Sequence, residues 1–215
     1  EQAKDAVKQI LELMRLQDSV AIVDYDDQVT VTASAESVTP NARLKMLYEV
    51  SQLHPRGSTD LGEGWLRGCE CVAKRQSASK VNRTLLLTDG LANLGITDPE
   101  MLWRHASALF ERGVNTSTFG IGEDFDEHLL EGMANIGGGN YYYISSSDRI
   151  PEILMEEFKD LAAVSLKGVV LEINFPASVA VELLGDWRME KKENRLVINL
   201  SDMAANRINH LFLRV

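Results

Sequence analysis

Two short segments place oxygen-bearing side chains beside glycines, in a pattern typical of a metal site. Thr59 and Asp60 close the segment Gly57-Ser58-Thr59-Asp60, and Asp89 follows the apolar run Leu85-Leu86-Leu87 in Thr88-Asp89-Gly90. An aspartate that ends a buried strand lies at the carboxyl edge of a parallel sheet, where such folds bind their ligands. The two segments together therefore predict half of a metal site.

Each segment also has a purely structural interpretation. Thr59 or Asp60 could cap a helix that begins at Leu61, and an Asp-Gly pair after a strand is common turn chemistry. The residues alone leave these alternatives open, so the surrounding elements must decide between them.

The elements around these segments alternate between strand and helix. Apolar spacing and capping signals predict six helices. They cover 1–17, Thr39-Pro40 to about 54, 61–76, about 98 to 112, Asp124 or Asp126 to about 136, and 147 to about 166. Strands are predicted at 19–25, 28–33, 83–88, 115–119 and 141–144, the first two joined as a hairpin by Asp26-Asp27. This order predicts an α/β fold: a doubly wound, mostly parallel, Rossmann-like sheet with helices on both faces, over 1–166.

The pattern changes in the last part of the chain. Strand-like segments at 169–174, 180–184, 196–200 and 211–215 predict a β-rich appendage over 167–215. The mixed charges from Glu190 to Arg195 are interpreted there as a solvated turn.

Composition excludes several classes of partner and scaffold. The formal net charge is −10, with 32 acidic against 22 basic residues, so a nucleic-acid partner is not expected. The two cysteines, Cys69 and Cys71, lie two positions apart in a predicted helix and are expected to be buried thiols rather than a disulfide or metal ligands. No apolar run approaches the ~20 residues that a transmembrane helix needs.

The order of several motifs resembles the von Willebrand factor A (VWA) domain, including its bacterial members. Gly57-Ser58-Thr59-Asp60-Leu61-Gly62 precedes Leu85-Leu86-Leu87-Thr88-Asp89-Gly90 by some thirty residues, and Phe119-Gly120-Ile121-Gly122-Glu123-Asp124 follows. The resemblance covers about 1–165, and the appendage is similar to the β region that follows this domain in some bacterial members.

The resemblance implies a metal-ion-dependent adhesion site (MIDAS). In the family a divalent cation, often magnesium, is held by an Asp-x-Ser-x-Ser segment on the first strand, a loop threonine and an aspartate after the fourth strand. Thr59 matches the threonine and Asp89 the aspartate, whereas these 215 residues contain no Asp-x-Ser-x-Ser segment. The implied function is protein–protein interaction or cell adhesion, in which the cation accepts an Asp or Glu of a partner, with weak or no metal binding by these residues alone.

The resemblance also predicts a gap in the sheet. In the family the segment with the missing ligands is the first strand, which lies between the second and fourth, whereas Glu1 already lies in the helix that follows it. We expect this central strand to come from residues upstream of Glu1, from another chain, or from a swapped part of the appendage.

An enzymatic function is the rival interpretation. Asp89 could serve a metal-dependent phosphoester hydrolase, but no Lys or Arg clamp stands at a fixed spacing from it. A nucleophilic triad has no support either, because the four histidines are scattered and no serine stands between glycines at a strand-to-helix elbow. We therefore expect a non-catalytic module.

Overall fold

The computed structural model describes residues 2–54, 57–184, 187–205, 208 and 210–215. The chain forms two compact units that divide between Phe158 and Lys159. Pro55 and Arg56, the start of the predicted loop before Thr59, lie outside the described residues, as does Glu1. Within the described residues, no helix has both the length and the apolar character needed to cross a membrane.

Helices and parallel strands alternate in the first unit, as the sequence predicts. Thr39, Asp60, Asp98 and Asp126 cap four of the helices by accepting a backbone N–H through the side chain. The elements are α1 (Gln2–Leu13), β1 (Ser19–Tyr25), β2 (Val29–Ser37), α2 (Pro40–Ser51), α3 (Leu61–Ala73), β3 (Arg83–Thr88), α4 (Pro99–Glu111), β4 (Asn115–Ile121), α5 (Glu127–Ile136), β5 (Tyr141–Ile144) and α6 (Ile150–Ala162), which continues past the division.

The strands form two separate groups. β3, β4 and β5 make a parallel sheet in that order, whereas β1 and β2 form an antiparallel hairpin. Among the described residues, β3 pairs only with β4 and β1 only with β2. One edge of β1 and one edge of β3 thus have no strand neighbour among the described residues, and the resemblance predicts the missing strand between them.

Helices cover both faces of the parallel sheet. Leu86 points to one side, where it packs in a core with Trp65 of α3, Leu102 of α4 and Leu130 of α5. Leu85 and Leu87 point to the other side, against a core formed by residues of α1, β4, β5 and α6. This arrangement confirms the predicted α/β class, because alternate residues of a buried strand must face opposite layers.

Four helices end earlier than predicted. α2 ends at Ser51 rather than at about 54, and α3 ends at Ala73 rather than at 76. α1 ends at Leu13 rather than at 17. The apolar spacing of the sequence continues about one turn beyond the helix, but Leu16 is 63% exposed there. The helix predicted to about 166 ends at Ala162, because Val164–Asn174 form a strand.

The second unit is built from antiparallel strands. β6 (Val164–Asn174), β9 (Arg195–Ala204) and β8 (Met189–Lys192) form one sheet in that order, and β7 (Glu182–Leu184) pairs with β10 (Phe212–Arg214). Its core contains Leu183, Leu196 and Ile198. The interpretation of 190–195 as a turn was wrong, because Glu190–Lys192 belong to β8 and only Glu193 and Asn194 turn the chain.

Candidate functional site

Thr59 is positioned by the loop that follows β3 and does not cap a helix. The Asp60 carboxylate takes the capping role, accepting the Glu63 N–H at 3.0 Å. The Thr59 N–H donates to Asn93 Oδ1 at 2.8 Å, and the Thr59 carbonyl accepts the backbone N–H groups of Asn93 and Leu94 at 3.2 and 3.3 Å. These bonds fix the Thr59 backbone and leave its hydroxyl free of a capping role.

Asp89 lies at the end of β3, beside the Thr59 loop. The preceding Thr88 is buried and closes a tight turn, since its hydroxyl accepts the Gly90 N–H at 3.3 Å and donates to the Gly90 carbonyl at 3.1 Å. Asp89 itself is exposed. A Cβ atom added to Gly90 would lie 3.7 Å from Thr59 Oγ1, so the threonine hydroxyl directly neighbours the residue that follows Asp89.

Tyr25 spans the space between β1 and β3 near these residues. Its hydroxyl donates to the Leu87 carbonyl at 2.5 Å, and its ring packs so closely on α3 that a Cβ at Gly64 would lie 2.4 Å from Cγ. Burial raises the pKa of Tyr25 far above its usual value; the Thr88 hydroxyl lowers that pKa in part, and the negative charge of Asp89 raises it further. Tyr25 is therefore a neutral donor that ties the hairpin to β3 beneath Asp89.

The hairpin turn and the loop after β3 complete the surroundings. The Asp60 N–H donates to the Asp26 carbonyl at 2.7 Å, which joins the Thr59 loop to the turn between β1 and β2. Gly95, at a φ of +63°, approaches the Asp60 carboxylate so closely that a Cβ there would lie 2.5 Å from Oδ1. Sequence reasoning missed Asn93, Gly95 and Tyr25 as supports, although an Asn and a Gly in the loop after a candidate ligand are recognisable signals.

The loop after β4 has a structural role. The Asp126 carboxylate accepts the Leu129 N–H at 2.9 Å and caps α5. Phe125 packs against Gly120, where a Cβ would lie 2.3 Å from its ring. Gly122 has a φ of +77°, as expected for a glycine that allows a tight turn.

These loops supply some, but not all, of the oxygen donors that a hard divalent cation prefers. It offers one hydroxyl, that of Thr59, and one carboxylate, that of Asp89, and within the described residues neither group has a hydrogen-bond or ion-pair partner. The same residues contain no cluster of three or more His, Cys, Asp or Glu side chains that could hold a metal. Magnesium prefers near-octahedral oxygen coordination with retained waters, so a cation at this place would need further oxygen ligands besides these two groups.

The arrangement is that of a known domain type. The family model of the von Willebrand factor type A domain matches residues 1–156. The chain belongs to the VWA family. Proteins of known sequence agree: it is 29% identical over 173 residues to the protein YfbK of Escherichia coli K12, across 80% of this chain and 30% of YfbK. It is also 25% identical over 191 residues to human inter-alpha-trypsin inhibitor heavy chain H3, across 85% of this chain and 21% of that protein.

Solved VWA structures share this fold. A von Willebrand factor type A protein from Catenulispora acidiphila superposes with a TM-score of 0.77 at 18% identity, across 95% of this chain and 50% of that one. Proximal thread matrix protein 1 of the mussel byssus, solved with a zinc-occupied MIDAS motif, superposes with a TM-score of 0.62 at 19% identity, across 81% of this chain and 44% of that one. The chain thus spans between about a fifth and a half of the lengths of these relatives.

Proposed function

We propose that this VWA domain is a non-catalytic interaction module whose divalent cation accepts a carboxylate of a protein partner. Thr59 and Asp89 would hold the cation, with magnesium as the expected ion. The observation that carries the proposal is the neighbourhood of the two ligands: Thr59 Oγ1 faces the residue after Asp89, at 3.7 Å from the Cβ position of Gly90. This proximity supports a shared cation position for the Thr59 hydroxyl and the Asp89 carboxylate.

The charge balance of this donor set favours recognition of an acid. A divalent cation held by one carboxylate and neutral oxygens keeps a net positive charge, and it can take a carboxylate from a partner as a further ligand. Within the described residues, no Lys or Arg contacts Asp89. The phosphoester-hydrolase alternative therefore gains no support from the surroundings of Asp89.

We propose that the remaining ligands arrive on a strand that occupies the gap between β1 and β3. The support is the pairing of the described strands, in which β3 and β1 each have one neighbour. Leu85 and Leu87 of β3 are only partly buried, although a central strand of a doubly wound sheet is normally covered on both faces. The source of this strand is left to experiment: residues upstream of Glu1, a second chain, or the appendage.

Isothermal titration with magnesium tests the metal assignment. We compare the 215-residue chain with a variant to which an Asp-x-Ser-x-Ser strand is added before Glu1, and in that extended form we introduce Asp89→Asn. The extended form should bind magnesium much more tightly than the 215-residue chain, and Asp89→Asn should weaken binding by at least about tenfold because it removes the negative charge of Asp89 from the ligand set.

Asp124→Asn is the matched control, because Asp124 is an exposed acid on the neighbouring loop and does not cap α5. It should leave magnesium binding unchanged, and neither form should hydrolyse p-nitrophenyl phosphate. Equal effects of the two substitutions would refute the role of Asp89, and Asp89-dependent hydrolysis would refute the non-catalytic function.

A further inference from the structure

A groove between β2 and α3 concentrates positive charge on an acidic protein. It has a volume of about 390 Å³, and Val31 and Ala35 of β2 and Cys71 of α3 supply its apolar lining. The described residues that line it include the cations Arg67, Lys74 and Arg75 and no carboxylate, although the chain as a whole carries a net charge of −10. The groove lies toward the carboxyl end of α3, about 20 Å along the helix from Asp60.

The cations differ in how much of their charge is already engaged. Lys74 has no ion-pair partner within the described residues. Arg75 uses Nε to hold the Ala35 carbonyl at 3.0 Å, which places its guanidinium on the outer edge of β2. Arg67 pairs with Glu63 and Glu70 of its own helix at 3.4 and 2.9 Å, but such exposed pairs contribute little and exchange readily with a better-placed carboxylate.

The strand beside the groove is open to a partner. β2 is nine residues long, and among the described residues its outer edge has no strand neighbour. The pairing of β1 with β2 is irregular between Val20 and Ile22, so Ser34 and Ala35 bulge toward the groove. The Ala35 carbonyl accepts from Arg75 Nε at this irregular part of the strand.

We propose that this groove binds an acidic, extended peptide segment of a partner protein. Its cations match side-chain carboxylates, and its apolar lining matches the methylene and methyl groups of the same segment, a combination that a phosphate backbone does not offer. The cations also line a short groove rather than a long basic stripe, which does not match the repeated phosphates of a nucleic acid. The proposal is independent of the cation site, because it uses the other end of α3.

Fluorescence anisotropy with a labelled peptide of about eight alternating Glu and Val residues tests the proposal. The 215-residue chain is titrated in EDTA, so the cation site makes no contribution. We expect saturable binding that Lys74→Glu weakens by at least about tenfold, since the substitution puts a carboxylate into the groove. Val31→Glu places a carboxylate on the lining from the strand side and should have the same effect.

Lys45→Glu is the matched control, because Lys45 is an exposed lysine of α2 that does not line the groove. It makes the same charge change and should alter affinity by less than about twofold. Circular dichroism verifies that all variants keep their helix content. Three results would each overturn the proposal. The peptide shows no saturable binding, Lys45→Glu weakens binding as much as Lys74→Glu does, or a single-stranded oligonucleotide of equal charge binds more tightly than the peptide.

Discussion

Replacing Glu157 by glutamine should destabilise the first unit more than its single-atom change suggests. Glu157 is fully buried, and its two oxygens accept three hydrogen bonds: Oε1 from the Ser117 hydroxyl at 2.6 Å, and Oε2 from Asn140 Nδ2 and the Tyr142 hydroxyl, both at 2.8 Å. The Ser117 hydroxyl accepts from Arg83 Nη1 and the Asn140 N–H, each at 3.1 Å. Its own hydrogen is therefore committed to Glu157.

The magnitude follows from these contacts. A glutamine must present an NH₂ group to at least one of the donors that the carboxylate now accepts. One buried hydrogen bond of about 1 kcal/mol is then lost, and a buried donor that stays unsatisfied costs about 1–3 kcal/mol more. The expected loss is about 2–4 kcal/mol, or about 4–16 °C in melting temperature for a chain of this size.

Urea unfolding of the 215-residue chain carrying Trp187→Phe, followed by tryptophan fluorescence, measures this loss, because Trp65 and Trp103 both lie in the first unit. Trp65 is buried, and its indole N–H donates to Thr116 Oγ1 at 3.1 Å, so it reports on the same unit. Glu156→Gln is the control, because the neighbouring glutamate is exposed. If Glu157→Gln unfolds at the same urea concentration as Glu156→Gln, the reasoning from the three converging donors is refuted.

Three further predictions concern the thiol and the glycines. Burial raises the pKa of Cys69 to about 11 from a usual 9.0, so iodoacetamide at about pH 8 should label it only after unfolding; rapid labelling of the native chain would contradict this. The same shift favours the folded state below pH 9, and this contribution should fade as the pH rises from 9.0 toward about 11, which a pH series of urea unfolding would detect. Gly95→Ala should destabilise more than Gly122→Ala in thermal unfolding, because both have positive φ but only Gly95 faces the Asp60 carboxylate; equal losses would mean that the loop moves away freely.

Local signals predicted the helices and parallel strands well, because each depends on its own spacing and caps. β3 was placed at Arg83–Thr88 and the helix after it at Pro99, since an apolar run and an Asp-Pro start are visible without a partner. The errors lie where a pattern continues into a neighbouring element. Val164 and Leu166 fit the apolar stripe of α6, yet pairing with Ala204 and Met203 makes them part of a strand.

The candidate site was predictable only in its chemistry. Thr59 and Asp89 stood out as oxygen donors beside glycines, but the sequence left open whether Thr59 or Asp60 caps α3. That choice depends on Asn93, which holds the Thr59 backbone from 34 residues away. Such a contact has no local signature, and neither does the reach of Tyr25 to Leu87, 62 residues away.

The Thr59 loop is fastened to both groups of strands. The Asp60 N–H is bonded to the β1–β2 turn through the Asp26 carbonyl, while Thr59 is bonded to the loop after β3 through Asn93. Separation of the hairpin from the parallel sheet would therefore break the bonds of this loop as well as the bond from Tyr25 to Leu87.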